Sequence, residues 1–233
     1  MLNQTILLKV KNRLNKLSSD DFDNIQDWQI VEAFNKGQVE WCRRNLHGLN
    51  IVKEGDEAST RRIDDLQSLL TTLPLQLNAR DNYYETLPLP EDYFQWKRIS
   101  GKAKNKCCPA RSLVIYLAEQ GNVDELLRDK NKQPSFEWAE TFATFKGNKI
   151  QVYTNNLFEV VNAELIYYKQ PIRIQMAGVR DPYTGLVPIN DVVSDFKDDL
   201  VELFIDECTK ILAGDIESLN QLQRQSQAVE NNN

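Results

Sequence analysis

Histidine is almost absent from this chain of 233 residues, which contains only His47. The four cysteines form no CxxC pair, and the sequence has no phosphate-binding, zinc-protease or serine-hydrolase motif. Most catalytic and metal sites are built from such residues and motifs. The sequence therefore predicts a protein that is not an enzyme and that has no catalytic residues, no metal site and no cofactor.

Long apolar runs are absent as well. No stretch approaches the ~18 apolar residues that a membrane-spanning helix requires, and the first residues lack the apolar core of a signal peptide. The scattered cysteines fit reduced, buried thiols better than disulfides. We therefore expect a protein that folds in a cytoplasm and has no membrane partner.

A basic excess is missing too, because the net charge is -6 and the isoelectric point is near 5.0. Binding to nucleic acid would need a local basic patch. Lys102, Lys104 and Lys106 supply a candidate, since alternate positions of a strand share one face. These lysines either protect a solvated strand edge from aggregation or contact an acidic partner or a DNA backbone, with Trp96 and Tyr93 as a stacking surface.

Apolar residues at three- and four-residue spacing predict helices at both ends of the chain. Residues 1–73 form an N-terminal helical part of three helices, of which Gly37 could interrupt the second and Pro74 ends the third. Residues 196–223 form a C-terminal helix that packs with them. Glu207 lies within its apolar stripe and is expected to meet a cation on a packing neighbour. Trp28 and Trp41 are large side chains close together in sequence, so we expect them to pack against a partner surface, either inside the subunit or on another molecule.

Alternating apolar residues between these parts predict an antiparallel β-rich region over residues 74–195. A hairpin joins a strand from Phe136 to one that contains Ile150 and Val152, with Gly147 and Asn148 as its turn. A third strand carries Leu165 and Tyr167 on one face. The predicted fold class is α+β, with N-terminal and C-terminal amphipathic helices and a central antiparallel β-sheet.

The last residues have little apolar character. Ile216, Leu219 and Leu222 make a stripe too thin to fold alone, so we expect contacts outside the subunit to hold it. Residues 224–233 are rich in asparagine and glutamine and should be flexible or ordered by a partner.

The order of several short segments carries a family resemblance. Leu89-Pro90-Glu91-Asp92-Tyr93 precedes a basic strand, and Gly147-Asn148-Lys149-Ile150-Gln151-Val152-Tyr153 comes next. Glu164-Leu165-Ile166-Tyr167-Tyr168-Lys169-Gln170-Pro171 and a long amphipathic helix follow. Over residues 87–223 this order resembles the neck or ring proteins that join portal to tail in short-tailed bacteriophages, most of all those of crAss-like phages.

This resemblance implies a structural virion protein, assembled in the host bacterial cytoplasm and located in the neck. Its partners would be copies of itself in a ring, dodecameric in the family, together with the portal protein and adjacent neck or tail proteins. Genomic DNA would pass through the channel that the ring lines. The alternative is a nucleic-acid-binding module that uses the face of Lys102, Lys104 and Lys106.

Overall fold

The computed structural model describes residues 1–15, 25–47, 64–106, 108–215 and 226–227. The chain divides into a helical unit, made of Met1–Leu69 and Pro171–Asn233, and a sheet unit, Leu70–Gln170. The described helices are α1 (Asn3–Asn15), α2 (Asp27–His47), α3 (Val123–Arg128) and α4 (Asp198–Asp215). The fold is therefore α+β, as predicted.

Eight strands form one sheet in the sheet unit. They are β1 (Leu70–Leu75), β2 (Leu77–Ala79), β3 (Tyr83–Thr86), β4 (Tyr93–Asn105), β5 (Cys108–Leu117), β6 (Glu140–Lys146), β7 (Lys149–Tyr153) and β8 (Glu159–Lys169). Their order is β1-β8-β4-β5-β6-β7-β3-β2, and every pair is antiparallel except β5 with β6. The predicted residues of the sheet are confirmed, with Ile150 and Val152 in β7 and Leu165 and Tyr167 in β8.

The two edges of this sheet meet. β1 and β2 lie at opposite edges, yet only Gln76 separates them in sequence. Two residue steps span at most about 7 Å, so the sheet must curl until its edges adjoin at this corner. The curled sheet encloses one apolar core on its inner face, to which Ile99, Ile115, Val152 and Leu165 contribute.

Residues of the turn between β6 and β7 explain the register of this hairpin. Gly147 has a φ of +59°, whereas Asn148 has no positive φ, which is the pattern of a type II′ turn. Lys146 pairs with Lys149 and Ala143 with Val152, so the apolar residues of both strands reach the core. The predicted turn is confirmed, although the strand before it begins at Glu140 rather than Phe136.

Part of the outer face of the sheet is covered by α3. Val123 of this helix packs with Phe142 of β6 and Tyr153 of β7, whose rings stack at 4.8 Å. The outer face over β5, β4 and β8 has no such cover within the sheet unit as described. This difference leaves the outer face of β4, β5 and β8 open.

Helices α2 and α4 form the centre of the helical unit. Phe34 of α2 contacts Phe204 of α4 edge to face at 6.0 Å, and the thiol of Cys208 in α4 lies 3.7 Å from the carbonyl oxygen of Ile30 in α2. α2 continues through Gly37, which packs closely on α4: a side-chain carbon there would lie 3.4 Å from Glu207 and from the backbone of Cys208. Glu207 is buried and accepts a 2.8 Å bond from Arg44, which confirms the predicted cation.

The boundaries of the parts differ from the predicted ones. The third predicted helix, which was to run to Pro74, instead gives way to β1 at Leu70, after a short 3-10 turn over Gln67–Leu69. Pro74 is tolerated within β1 because this is an edge strand, where a missing N–H need not break a ladder. The sheet also ends at Lys169, so residues 171–195 group with the helices.

Candidate interaction surfaces

Buried amide side chains hold an extended segment, Pro171–Met176, against α2. Asn35 donates from Nδ2 to the carbonyl oxygen of Ile174 at 3.1 Å and accepts from its N–H at 2.8 Å. Gln38 donates to the carbonyl oxygen of Ile172 at 2.9 Å. These bonds satisfy backbone groups of Ile172 and Ile174, and Gln175 exchanges two backbone bonds with Val192 in an isolated antiparallel bridge.

A compact turn follows this segment and is organised by Asp181. Its Oδ1 accepts from the backbone N–H of Tyr183 at 2.8 Å, and its Oδ2 accepts from the hydroxyl of Thr184 at 2.9 Å. The bond from Tyr183 is the main reason that the pKa of Asp181 is lowered. Gly185, at a φ of +71°, lets the chain reverse.

The turn presents a cluster of exposed apolar side chains, which we call the apolar loop (residues 183–189). Tyr183 is 77% exposed, Leu186 69% and Ile189 91%. Large apolar side chains clustered in this way on a surface commonly mark a contact with another molecule. The loop is thus the strongest candidate for an interface in the helical unit.

Beside the apolar loop lies a groove of ≈ 780 Å³. Trp28 of α2 forms one wall and contacts Tyr183 edge to face at 6.4 Å. Glu32 and Arg173 form an ion pair at 2.6 Å at the same groove. Trp28, predicted as an interface residue, therefore lies next to the exposed loop.

Trp41, the second predicted interface tryptophan, occupies a different position. Its side chain is 6% exposed and packs edge to face against Phe204 at 5.2 Å and Phe196 at 6.2 Å. The surface that this tryptophan covers is inside the helical unit, which leaves it little area for a partner. The other predicted interface residues, Ile216, Leu219 and Leu222, lie outside the described residues.

The open sheet face is the outer face of β4, β5 and β8 that α3 does not cover. Its side chains surround a concavity of ≈ 780 Å³ and belong to Ser100, Lys102, Ser112, Val114, Tyr116, Asn162 and Glu164. The register explains this set, because Lys102 pairs with Ser112 and Asn162, and Ser100 pairs with Val114 and Glu164. Val114 and Tyr116 are both half-exposed, so the face is partly apolar.

The predicted lysines lie at and beside this face. Lys102 and Lys104 are exposed in β4, whereas Lys106 lies in the turn beyond its end. Of the two aromatic residues predicted as a stacking surface, Tyr93 packs against Tyr167 at 5.7 Å, whereas Trp96 packs partly against the inner core and also lines the concavity of the open sheet face. The exposed ring on the face of Lys102 is that of Tyr116.

Chemically reactive groups are few among the described residues. No group of three or more His, Cys, Asp or Glu side chains there could hold a metal ion. Burial raises the pKa of Cys42 to about 12, so this thiol is uncharged at neutral pH and is a poor nucleophile.

Among the residues that the structure describes, no helix is long and apolar enough to cross a membrane.

Sequence comparisons add no family assignment, because no protein-family model and no curated protein matches the chain.

Proposed function

We propose that this chain is a structural virion protein, a subunit of the ring that joins portal to tail in the neck of a short-tailed bacteriophage. The observation that carries the proposal is the exposed apolar loop, whose side chains suit burial by a neighbouring subunit. The order of segments that resembles neck proteins supports it further. No catalytic role is part of the proposal.

In this proposal the amphipathic helices of the N-terminal and C-terminal parts pack around the DNA channel. The helical unit carries 15 basic and 22 acidic residues in the sequence, so its charge is strongly negative. A channel wall of this charge would repel the phosphates of the DNA and let the genome slide past. The β portion would contact the next ring.

Electron microscopy of the purified protein, alone and with its portal and neck neighbours, tests the proposal. We expect closed rings of copies of this chain, dodecameric as the resemblance implies, stacked on the portal. Mass spectrometry of purified virions should also find the chain. A protein that remains monomeric with these neighbours, and is missing from virions, would refute the proposed function.

A second candidate function is nucleic-acid binding by the basic stretch of the sheet unit. The observation in its favour is that residues 97–111 contain six basic residues and no acidic one. Such binding should weaken steeply with salt, because each neutralised phosphate releases counterions. Salt-dependent binding of the isolated protein to short DNA, lost on changing Lys102 and Lys104 to glutamate, would support this candidate instead.

A further inference from the structure

The two units of the chain carry opposite surface character. Residues 70–170 contain 13 basic and 12 acidic residues, so the whole net negative charge of the protein comes from the helical unit. Within the helical unit, residues 181–199 contain five aspartates and one lysine. Within the sheet unit, residues 97–111 contain only basic charges. The sequence around the apolar loop is thus mainly acidic, with Arg180 as a basic residue beside Gly185 of the loop, and the open sheet face adjoins a basic stretch.

Both surfaces carry exposed apolar side chains among the described residues. Ile189 is 91% exposed on the apolar loop, while Val114 is 50% and Tyr116 53% exposed on the open sheet face. Each surface remains available to a second molecule.

We propose that the apolar loop of one copy docks on the open sheet face of the next copy, as the contact that builds the ring. Leu186 and Ile189 supply apolar side chains for the concavity beside Val114 and Tyr116. The aspartates that flank the loop face Lys102 and Lys104 at the rim. This inference rests on the proposed function and names the partner surface for it.

The contact joins two different patches, so its geometry is head-to-tail. A contact of this kind leaves one free loop and one free face after every addition, and it ends only when the ring closes. Two apolar loops cannot replace it favourably, because that contact would bring the aspartates of both copies together. Charge therefore selects the head-to-tail arrangement over a two-fold dimer.

Negative charge is also present on the receiving side. Glu164 lies on the open sheet face, Glu159 pairs with Lys104 across β4 and β8, and Glu140 pairs with Val114 and accepts a 3.2 Å bond from the hydroxyl of Tyr116. These three carboxylates reduce the positive field of the basic stretch, whose six basic residues at positions 97–111 outnumber them. A small, weakly attractive contact between two copies is the expected result, and ring closure stabilises it because each copy then makes two contacts.

A charge-reversal experiment tests the electrostatic part in the full-length protein. Lys102→Glu with Lys104→Glu should shift the mass distribution, measured by mass photometry with the portal and neck neighbours present, from rings to monomers by tenfold or more. Lys130→Glu with Lys146→Glu makes the same change of net charge at exposed positions of the sheet unit outside the open face. This control should still form rings.

Cysteine trapping tests the geometry directly. In a background with Cys107→Ser and Cys108→Ser, a mixture of Ile189→Cys and Val114→Cys proteins should give a covalent dimer on oxidation, whereas either protein alone should not. Leu8→Cys is exposed on α1 and serves as the control, which should not couple to Val114→Cys. Circular dichroism of each variant establishes that it is folded.

The outcomes separate the two proposals. Two results together would overturn the docking contact and leave the proposed function standing. The first is normal ring formation by the Lys102→Glu, Lys104→Glu variant, and the second is the lack of a covalent product between Ile189→Cys and Val114→Cys proteins. A wild-type protein that forms no ring with its neighbours would overturn both. Loss of rings in the lysine variant alone, together with the mixed covalent dimer, supports the inference.

Discussion

The ion pair between Arg44 and Glu207 gives the sharpest test of how the helical unit is held together. Arg44 Nη2 lies 2.8 Å from Glu207 Oε1, and the side chain of Glu207 is only 3% exposed. The second carboxylate oxygen has no hydrogen-bond partner among the described residues. The carboxylate thus depends heavily on Arg44 to offset the loss of water around a buried charge.

Replacing Arg44 by methionine keeps most of the apolar stem and removes the cation. Breaking a buried pair from one side costs ~3–5 kcal/mol, because the remaining charge stays buried. Arg44 is a quarter exposed, which lets water relieve part of the penalty, so we expect the free energy of unfolding to fall by about 3 kcal/mol. Adding Glu207→Leu should restore most of this loss, since no unpaired charge then remains.

Urea unfolding followed by circular dichroism measures these changes, with linear extrapolation to zero denaturant. Lys36→Met is the control, because Lys36 and Glu40 form an exposed pair on the same helix at 4.0 Å. Its effect should stay below about 1 kcal/mol. A loss under about 1 kcal/mol in Arg44→Met, or a double variant as unstable as the single one, would refute the reasoning.

Four further predictions concern other parts of the chain. Asn35→Ala should speed hydrogen exchange at the amide of Ile174 by at least tenfold, because both bonds to that residue are lost; unchanged exchange would contradict this. Gly147→Ala should lower the free energy of unfolding, measured in urea, by about 1 kcal/mol, because alanine is strained at a φ of +59°. Nothing lies within 4 Å of the added carbon, so no steric clash contributes, and a stabilised variant would contradict the prediction. Cys42, with a pKa raised to about 12 by burial, should not react with a thiol reagent at mildly basic pH until the protein unfolds, and rapid labelling of the folded protein would disprove it. Deleting residues 215–233 should leave a folded monomer of near-normal melting temperature that no longer assembles, as electron microscopy would show; rings of the truncated protein would contradict this.

Local sequence patterns were sufficient to predict the elements in which buried and exposed residues recur at regular spacing. β8 alternates apolar and polar residues because only its inner face meets the core, and the pattern places Leu165 and Tyr167 correctly. Glu207 could also be interpreted from sequence, since a carboxylate inside an apolar stripe requires a cation. In both cases the signal lies within a few residues of the element that it describes.

Features that depend on distant residues were not predictable in this way. The leucines at positions 66, 69 and 70 have helical spacing, but β1 begins at Leu70 because it pairs with β8 almost a hundred residues later. The alternation that begins at Phe136 stops at Ala139, whose φ of +54° turns the chain, and Trp138 is left exposed. The parallel pairing of β5 with β6 likewise has no local signal.

The apolar loop was missed for a related reason. Its large residues follow neither helical nor strand spacing, and Pro182, Gly185 and Pro188 make the stretch resemble an ordinary turn. The available signal was the density of apolar residues within a turn, because turns that only connect elements are usually polar. The lysines of β4 were found from sequence because their alternation matches the strand.

Separation of charge between the units connects these surfaces to the proposed assembly. A uniform surface of net charge -6 would repel every copy equally, and assembly would depend on apolar contacts alone. Here the excess of acidic residues is confined to the helical unit, and the sheet unit is nearly neutral, with a basic stretch on β4 and β5. Attraction between copies is then strongest when unlike units meet, which favours the head-to-tail contact that can close a ring. The same separation would leave acidic helices to face the DNA, so one distribution of charge would serve both assembly and passage of the genome.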